Sequence, residues 1–258
     1  MTETILDSAH ARRSDDPDDP RARLAFFERL ADAELFLLLE AEPEDDVVEP
    51  LIFPIENVSF VVAFDTEERL SEFAGPAPFA VISGRALAKL LEPEGFGLAL
   101  NPDVAPSASI FPPEDMKWLV EVLGVAPSEW EAKPTSFVPP THVPDEFLNA
   151  LSEKLPATAH LARAAFLVAA DMQDVGQRHV LAFVDAMPGS EGALSQAVLE
   201  ALQFSGLDAG EVNVTFVESE SEVATRLARV GLEIQLQESE ERGMAAPGMD
   251  PDRPPKLR

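Results

Sequence analysis

The sequence predicts an α/β protein of two small domains, each a mixed β-sheet packed with helices. Short segments with strand periodicity alternate with segments of helical periodicity along most of the chain. Five prolines between Gly124 and Asp145 interrupt this alternation, which indicates a connector between two domains. The chain has 258 residues and 46% hydrophobic composition, enough for two modest cores.

This organisation divides the chain into five segments. The N-terminal domain spans residues 19–124, the proline-rich connector residues 125–143 and the C-terminal domain residues 144–237. Residues 1–18 and 238–258 are too polar and proline-rich to offset the entropy of ordering the backbone, so they are predicted to be disordered tails.

The N-terminal half begins with a helix. Asp19 before Pro20 is a helix-start signal, and the helix is expected to reach about Ala33. The apolar run at residues 34–40 favours a buried strand, with a helix as the alternative. The later elements are a hairpin of 51–55 and 59–64 around Glu56-Asn57, a helix capped by Asp65 or Thr66, a strand at 79–82, a helix capped by Ser83, a strand at 96–100 and a helix from Pro112 to Gly124.

The C-terminal half predicts the order α-β-β-α-β-α-β. Ser219 and Glu222 have the spacing of a capping box for its last helix. The elements in order are a helix at 144–155, strands at 163–172 and 178–187, a helix at 191–204, a strand at 212–216, the capped helix and a strand at 232–237.

Composition excludes several classes of function. The net charge of −28, from 47 acidic and 19 basic residues, disfavours nucleic acid and anionic membrane surfaces as partners and favours a basic protein segment. The absence of cysteine excludes disulfides, thiol nucleophiles, iron–sulfur clusters and thiolate zinc sites. No secretory signal or membrane span is apparent, so a soluble cytoplasmic protein is expected, with no cofactor and no particular oligomeric state predicted.

Asn101, which precedes Pro102 at the end of a buried strand, is the most distinctive candidate residue. The end of a strand in an α/β sheet is a common place for an amide to bind a ligand. The structural alternative, favoured here, is a turn in which the Asn side chain bonds its own backbone. A polar pocket formed by Asn101 together with Asp65 would favour the ligand-binding interpretation.

Other candidate residues have structural explanations. Ser190 lies in a string resembling a nucleophile elbow, but Pro188 breaks that motif and Ser190 is predicted to be a helix N-cap. His160 and His179 lie near the starts of two antiparallel strands and should not converge on a metal ion. Asp171 and Asp185 could form a carboxylate pair, but solvated turn carboxylates are favoured.

Three strings carry a resemblance to a known family: PLIFPIENVSFVVAFDTEERLSEF, FGLALNP and FPPEDMKWL. They resemble the N-terminal domain of the SseB family, the bacterial enhanced serine sensitivity proteins. The second half is similar to the family's C-terminal domain in its pattern of elements. In the family the hairpin turn tends to be Asp-Gly and the next strand tends to end in a Phe-Thr-Ser string, whereas this chain has Glu56-Asn57 and Phe64-Asp65-Thr66. The resemblance implies a bacterial, cytoplasmic α/β protein of undetermined molecular role and no catalytic residue.

Two hypotheses of function follow. The first is a non-enzymatic protein-binding or adaptor module, because the polar side chains show no pattern of a reactive centre and are expected to be dispersed. The alternative is a small-molecule sensor or enzyme that uses a cleft between the domains near Asn101, and the family name suggests a link to amino acids.

Overall fold

The computed structural model describes residues 3–42, 48–55, 57–125, 136–172, 176–206 and 212–236. The chain divides into two compact units. The first contains Met1–Pro127 and Leu202–Asp208, and the second contains Ser128–Ala201 and Ala209–Arg258.

The first unit is built around one mixed sheet. Its helices are α1 (Ile5–Asp15), α2 (Pro20–Asp32), α3 (Glu67–Ala74), α4 (Gly84–Leu91) and α5 (Pro113–Leu123). Its strands are β1 (Glu34–Leu38), β2 (Ile52–Ile55), β3 (Val58–Phe64), β4 (Phe79–Ser83), β5 (Gly97–Leu100) and β6 (Ser109–Phe111). The strand order is β4-β1-β3-β5-β6, with β2 also paired to β3. Only β3 and β5 run parallel among these pairs.

The two faces of this sheet are covered differently. The inner face joins α1, α2, α4 and α5 in the main core, which includes Phe26, Phe27, Leu87 and Leu119. On the outer face, a smaller cluster contains Leu70 of α3. The four helices bury the inner face, whereas the outer face carries the short helix α3.

The second unit contains the other mixed sheet. Its strands are β7 (Ser136–Val138), β8 (Ala164–Met172), β9 (Gly176–Val184), β10 (Val212–Val217) and β11 (Leu232–Ile234). Its helical segments are α6 (Asp145–Lys154), a 3₁₀ segment at Leu155–Leu161, α8 (Glu222–Val230) and α7 (Glu191–Phe204), of which the residues from Leu202 onward are counted with the first unit. The strand order is β10-β9-β8-β11, with β7 also paired to β8, and only β9 and β10 are parallel among these pairs. The predicted α/β fold with two mixed sheets is therefore confirmed.

The predicted N-terminal disorder is wrong, because residues 5–15 form α1. Thr4 and Asp7 form a reciprocal capping box: the Thr4 hydroxyl accepts from the Asp7 amide at 3.2 Å, and the Asp7 carboxylate accepts from the Thr4 amide at 3.0 Å. Leu6 and Ala9 are buried in the main core. A few buried groups thus order a segment whose overall composition is polar.

The predicted connector also contains regular structure. Proline was expected to prevent strand pairing there, but Phe137 and its neighbours form β7, which pairs with β8. The described residues do not include the part of the predicted connector at 126–135. They also do not include the predicted tail at 238–258.

Several element boundaries differ from the sequence prediction. The run at residues 34–40 forms the strand β1, not a helix. Strand β6 was missed because it has three residues between a loop and a proline pair. Ser221, not Ser219, caps α8 and accepts from the Ala224 amide at 3.1 Å. The last strand ends at Ile234.

Candidate functional site

A buried polar cluster lies where β3 and β5 end. Asp65 follows β3 and Asn101 follows β5, and because these strands are parallel their carboxyl ends meet at the same edge of the sheet. We define the polar cluster as Thr4, Asp7, Asp65, Arg69, Asn101 and Ser107.

Asn101 connects the two strand ends. Its side-chain oxygen accepts from the Asp65 backbone amide at 3.1 Å, and its amide nitrogen donates to the Ser107 hydroxyl at 2.9 Å. Asn101 is fully buried and has a φ of 48°, a conformation that Asn tolerates better than most residues. The predicted side-chain bond to its own backbone is therefore replaced by a bridge between strands, which fixes the 101–107 loop against β3.

Arg69 is held between two carboxylates. It lies on α3 one turn after Asp65, and its Nη1 donates to the Asp65 oxygens at 2.7 Å and 2.9 Å. Its Nη2 donates to Asp7 Oδ2. The side chain of Arg69 is 2% exposed and those of Asp7 and Asp65 are 4% exposed, so all three charges are nearly free of solvent.

Ser107 and Thr4 complete the hydrogen bonding. Ser107 donates to Asp7 Oδ1 from its hydroxyl at 2.6 Å and from its backbone amide at 3.2 Å. The Thr4 hydroxyl donates to Asp65 Oδ2 at 2.6 Å. The Asp7 carboxylate thus receives hydrogen bonds from Arg69, Ser107 and Thr4, which ties α1 to the end of the sheet.

The electrostatics favour the ionised forms of Asp7 and Arg69. Burial alone raises the pKa of Asp7, but hydrogen bonds from Arg69, Ser107 and Thr4 outweigh it and hold that pKa well below its usual range. Burial alone lowers the pKa of Arg69, but hydrogen bonds to Asp7 and Asp65 outweigh this effect, so the pKa lies above its ordinary value. Two carboxylates against one guanidinium leave the ionised cluster with an excess of one negative charge.

The structure brings both predicted residues together but in an arrangement that sequence reasoning missed. Asn101 and Asp65 meet, whereas the expectation of dispersed polar groups is wrong, because two carboxylates and a guanidinium gather with them. These groups form hydrogen bonds with one another. The exception is Arg69 Nε, which is buried and has no hydrogen-bond partner in the described structure. The Thr4–Asp7 spacing and the Asp65–Arg69 spacing of one helical turn were the available signals.

The remaining candidate residues do not form a site. Asp171 pairs in register with Gln177 near the β8–β9 turn, whereas Asp185 follows Val184, so the two residues lie at opposite ends of the hairpin. His179 pairs with Ala169 inside the hairpin, whereas His160 lies in the 3₁₀ segment before β8. Among the described residues, no group of three metal-binding side chains comes together.

Ser190 lies directly before α7, as predicted. Its carbonyl accepts from the Leu194 amide at 3.0 Å, and its hydroxyl donates to the Met187 carbonyl at 2.7 Å. The hydroxyl therefore serves the turn that leads into the helix.

The fold is that of a mixed-sheet α/β protein. Its first unit contains a cluster of buried charges at the carboxyl ends of two parallel strands. Residues 6–118 match the SseB protein N-terminal domain, a range that includes α1 after Ile5 and every cluster residue except Thr4. This match confirms the resemblance of the N-terminal part of the chain to that domain. The likeness of the second half to the family's C-terminal domain stays a prediction.

Neither a curated protein nor a solved structure shows a match to the chain. None of the helices in the described residues has the length and apolar character needed to cross a bilayer.

Proposed function

We propose that this chain is a non-enzymatic, cytoplasmic protein-binding module, and that its N-terminal domain binds an apolar segment flanked by basic residues. The observation that carries the proposal is strand β4. Its sequence, FAVIS, contains no charged residue, proline or glycine, and it pairs with β1 along its full length. In the described structure β4 pairs with β1 alone and lies at one end of the sheet.

Edge strands usually carry features that prevent another chain from adding to the sheet, such as an inward charge, a proline or a bulge. Strand β4 has none of these features: its pairing with β1 is regular, and it contains no charged residue and no proline. Val81, at its centre, is 52% exposed on the outer face. Such an edge allows a partner to add a strand, with main-chain hydrogen bonds for affinity and side-chain contacts for specificity.

The outer face extends this apolar surface. Cross-strand pairing places Val81, Phe36 and Phe64 on one face of β4, β1 and β3. Phe73 of α3 packs over Phe64, with ring centroids 5.3 Å apart, and is itself 37% exposed. Ile110 is 59% exposed on the same face of β6. The covering helix thus leaves apolar side chains accessible toward both edges of the sheet.

The surrounding charges favour a basic partner. Glu67, Glu68 and Glu72 are exposed on α3, and Glu34 is exposed on β1 opposite the end of β4. The whole chain carries a net charge of −28. A segment with lysine or arginine beside its apolar residues would be attracted to this surface, and salt would weaken the attraction.

Affinity capture with a charged substitution tests the proposal. Val81→Lys places a charge on the open edge without filling a buried position, and Leu90→Lys places the same charge at a 37% exposed apolar position on α4. We expect wild type and Leu90→Lys to recover the same protein from the native host at low salt. We expect Val81→Lys, and wild type at high salt, to lose it. No reproducible partner at low salt, or equal recovery with Val81→Lys, would contradict the proposal.

The alternative is a small-molecule sensor or enzyme at Asn101, and one observation favours it: Asn101 and Asp65 do lie together in a buried polar site. Thermal-shift screening of amino acids and nucleotides tests this alternative. A ligand at 100 times its dissociation constant adds about 2.7 kcal/mol of stability, which is readily detected.

A further inference from the structure

The Asp7 carboxylate lies in a ready-made set of hydrogen-bond donors. Its Oδ1 accepts from the hydroxyl and the backbone amide of Ser107, and its Oδ2 accepts from Arg69 Nη2. A guanidinium together with a hydroxyl and a backbone amide is a chemically typical combination for carboxylate recognition.

Residues outside α1 hold these donors, and the Thr4 hydroxyl at the start of α1 adds a hydrogen bond to Asp65. Asp65 holds the Arg69 guanidinium through Nη1, and Asn101 holds the Ser107 hydroxyl by donating to it at 2.9 Å. Asn101 in turn accepts from the Asp65 amide. Residues of β3, α3 and the loop after β5 therefore form the cradle, and α1 supplies the group that occupies it.

The two carboxylates have different roles in the charge balance of the cluster. Asp65 pairs with Arg69 within one helical turn and neutralises it locally, so Asp7 is the additional anion. The helix that brings Asp7 buries Leu6 and Ala9 as its apolar residues. In addition, Arg69 Nε, a buried donor on the same guanidinium, has no hydrogen-bond partner in the described structure.

We propose that Arg69 and Ser107, supported by Asp65 and Asn101, form a carboxylate-binding site, and that Asp7 fills it as an intramolecular ligand which a free carboxylate replaces. The site lies at the carboxyl ends of two parallel strands, where α/β sheets commonly bind ligands. This inference names a ligand class for the alternative function at Asn101 and does not depend on β4. Val81→Lys should therefore leave carboxylate binding at this site unchanged.

Size-matched chemical rescue tests the site. Asp7→Ala removes one carboxylate group, a space that formate fits, and Asp7→Gly removes one further carbon, a space that acetate fits. We expect formate to raise the melting temperature of Asp7→Ala, and acetate that of Asp7→Gly, by several degrees and in a saturable manner relative to chloride at equal ionic strength. If a variant does not fold in chloride, its recovery on refolding in the matching carboxylate is the same measurement.

Two controls make the rescue specific. Asp7→Asn keeps the space filled by an uncharged group, so formate should not stabilise it more than chloride does. Asp32→Ala removes a carboxylate from an ion pair with Arg85 in which both side chains are about one-third exposed, and it should also show no rescue. Equal effects of formate and chloride on Asp7→Ala would overturn the proposal.

Tryptic cleavage of the wild-type protein tests replacement of Asp7. Arg12 and Arg13 lie on α1, so release of the helix exposes both to trypsin. We expect faster cleavage there in concentrated sodium formate than in sodium chloride, after correction for trypsin activity on a free peptide. Rescue of the variants without faster cleavage of the wild type would reduce the cluster to a structural ion pair and overturn the ligand-binding part of the proposal.

Discussion

Replacing Arg69 with methionine removes the cation between two buried carboxylates. The Arg69 side chain is 2% exposed, and those of Asp7 and Asp65 are each 4% exposed. Methionine retains apolar volume but offers no donor to either carboxylate. Because removing one partner of a buried ion pair costs about 3–5 kcal/mol, we expect the unfolding free energy of the first unit to fall by that amount.

Tryptophan fluorescence measures this loss in urea. Trp118 packs against Phe27 with ring centroids 5.0 Å apart, so its emission reports the main core. The chain has two tryptophans, and a Trp130→Phe background leaves Trp118 as the single probe. With a urea m-value of about 2 kcal/mol/M, the transition midpoint should fall by about 2 M.

Arg23→Met is the matched control. Arg23 forms an ion pair with Asp115 at 2.8 Å in the same unit, but the two side chains are 58% and 22% exposed. Its guanidinium also lies over the Phe27 ring at 5.5 Å. Exposed ion pairs contribute little, so the control should lose at most about 1 kcal/mol. Equal losses from Arg69→Met and Arg23→Met would refute the role assigned to burial.

The pH dependence of Arg69→Met should run opposite to the contribution of Asp7 in wild type. In wild type the pKa of Asp7 is lowered on folding, so its stabilisation is present above the unfolded pKa, near 4, and is lost as the pH falls toward the folded value. Without Arg69, burial should raise the pKa of Asp7, and the variant should lose stability as the pH rises. We therefore expect the gap in unfolding free energy between the two proteins to narrow in acid. A constant gap between pH 7 and pH 3 would refute this reasoning.

Two further substitutions test packing and charge elsewhere. The Cβ of Gly97→Ala would overlap the Phe60 ring and lie 2.6 Å from the Phe111 carbonyl oxygen. We therefore expect the unfolding free energy in urea to fall by about 1–3 kcal/mol. The control is Gly192→Ala, which has no neighbouring atom within 4 Å and should not be destabilising. Lys154→Met breaks a 2.7 Å ion pair whose side chains are 9% and 2% exposed, and it should destabilise the second unit by about 3–5 kcal/mol in thermal unfolding followed by circular dichroism.

The regular elements were predictable because local patterns agree with the tertiary structure. The alternation of periodicities gave both mixed sheets, and Glu191–Phe204 matches the predicted helix at 191–204. The errors lie where a few tertiary contacts outweigh local composition. Helix α1 is polar, but the buried Leu6 and the Asp7–Arg69 ion pair order it. Strand β7 forms among prolines because Phe137 and its neighbours pair with β8.

The candidate site was predictable only in part. Asn101 and Asp65 were recognised because each follows a predicted strand, and the topology brings those strand ends together. Asp7 and Ser107 are distant in sequence from Arg69 and join it only in the folded chain. No local spacing predicts such long-range partners, so the number of buried charges could not be read from the sequence.

Hydrogen exchange of the α1 amides tests most directly whether this polar cluster makes the N-terminal helix part of the domain. If Asp7 fixes α1 to Arg69 and Ser107, the helix amides of residues 8–15 are protected in wild type and exchange much faster in Asp7→Asn, while those of β1 change little. Wild-type α1 amides that exchange at the rate of an unstructured peptide, or equal protection in wild type and Asp7→Asn, would contradict the account.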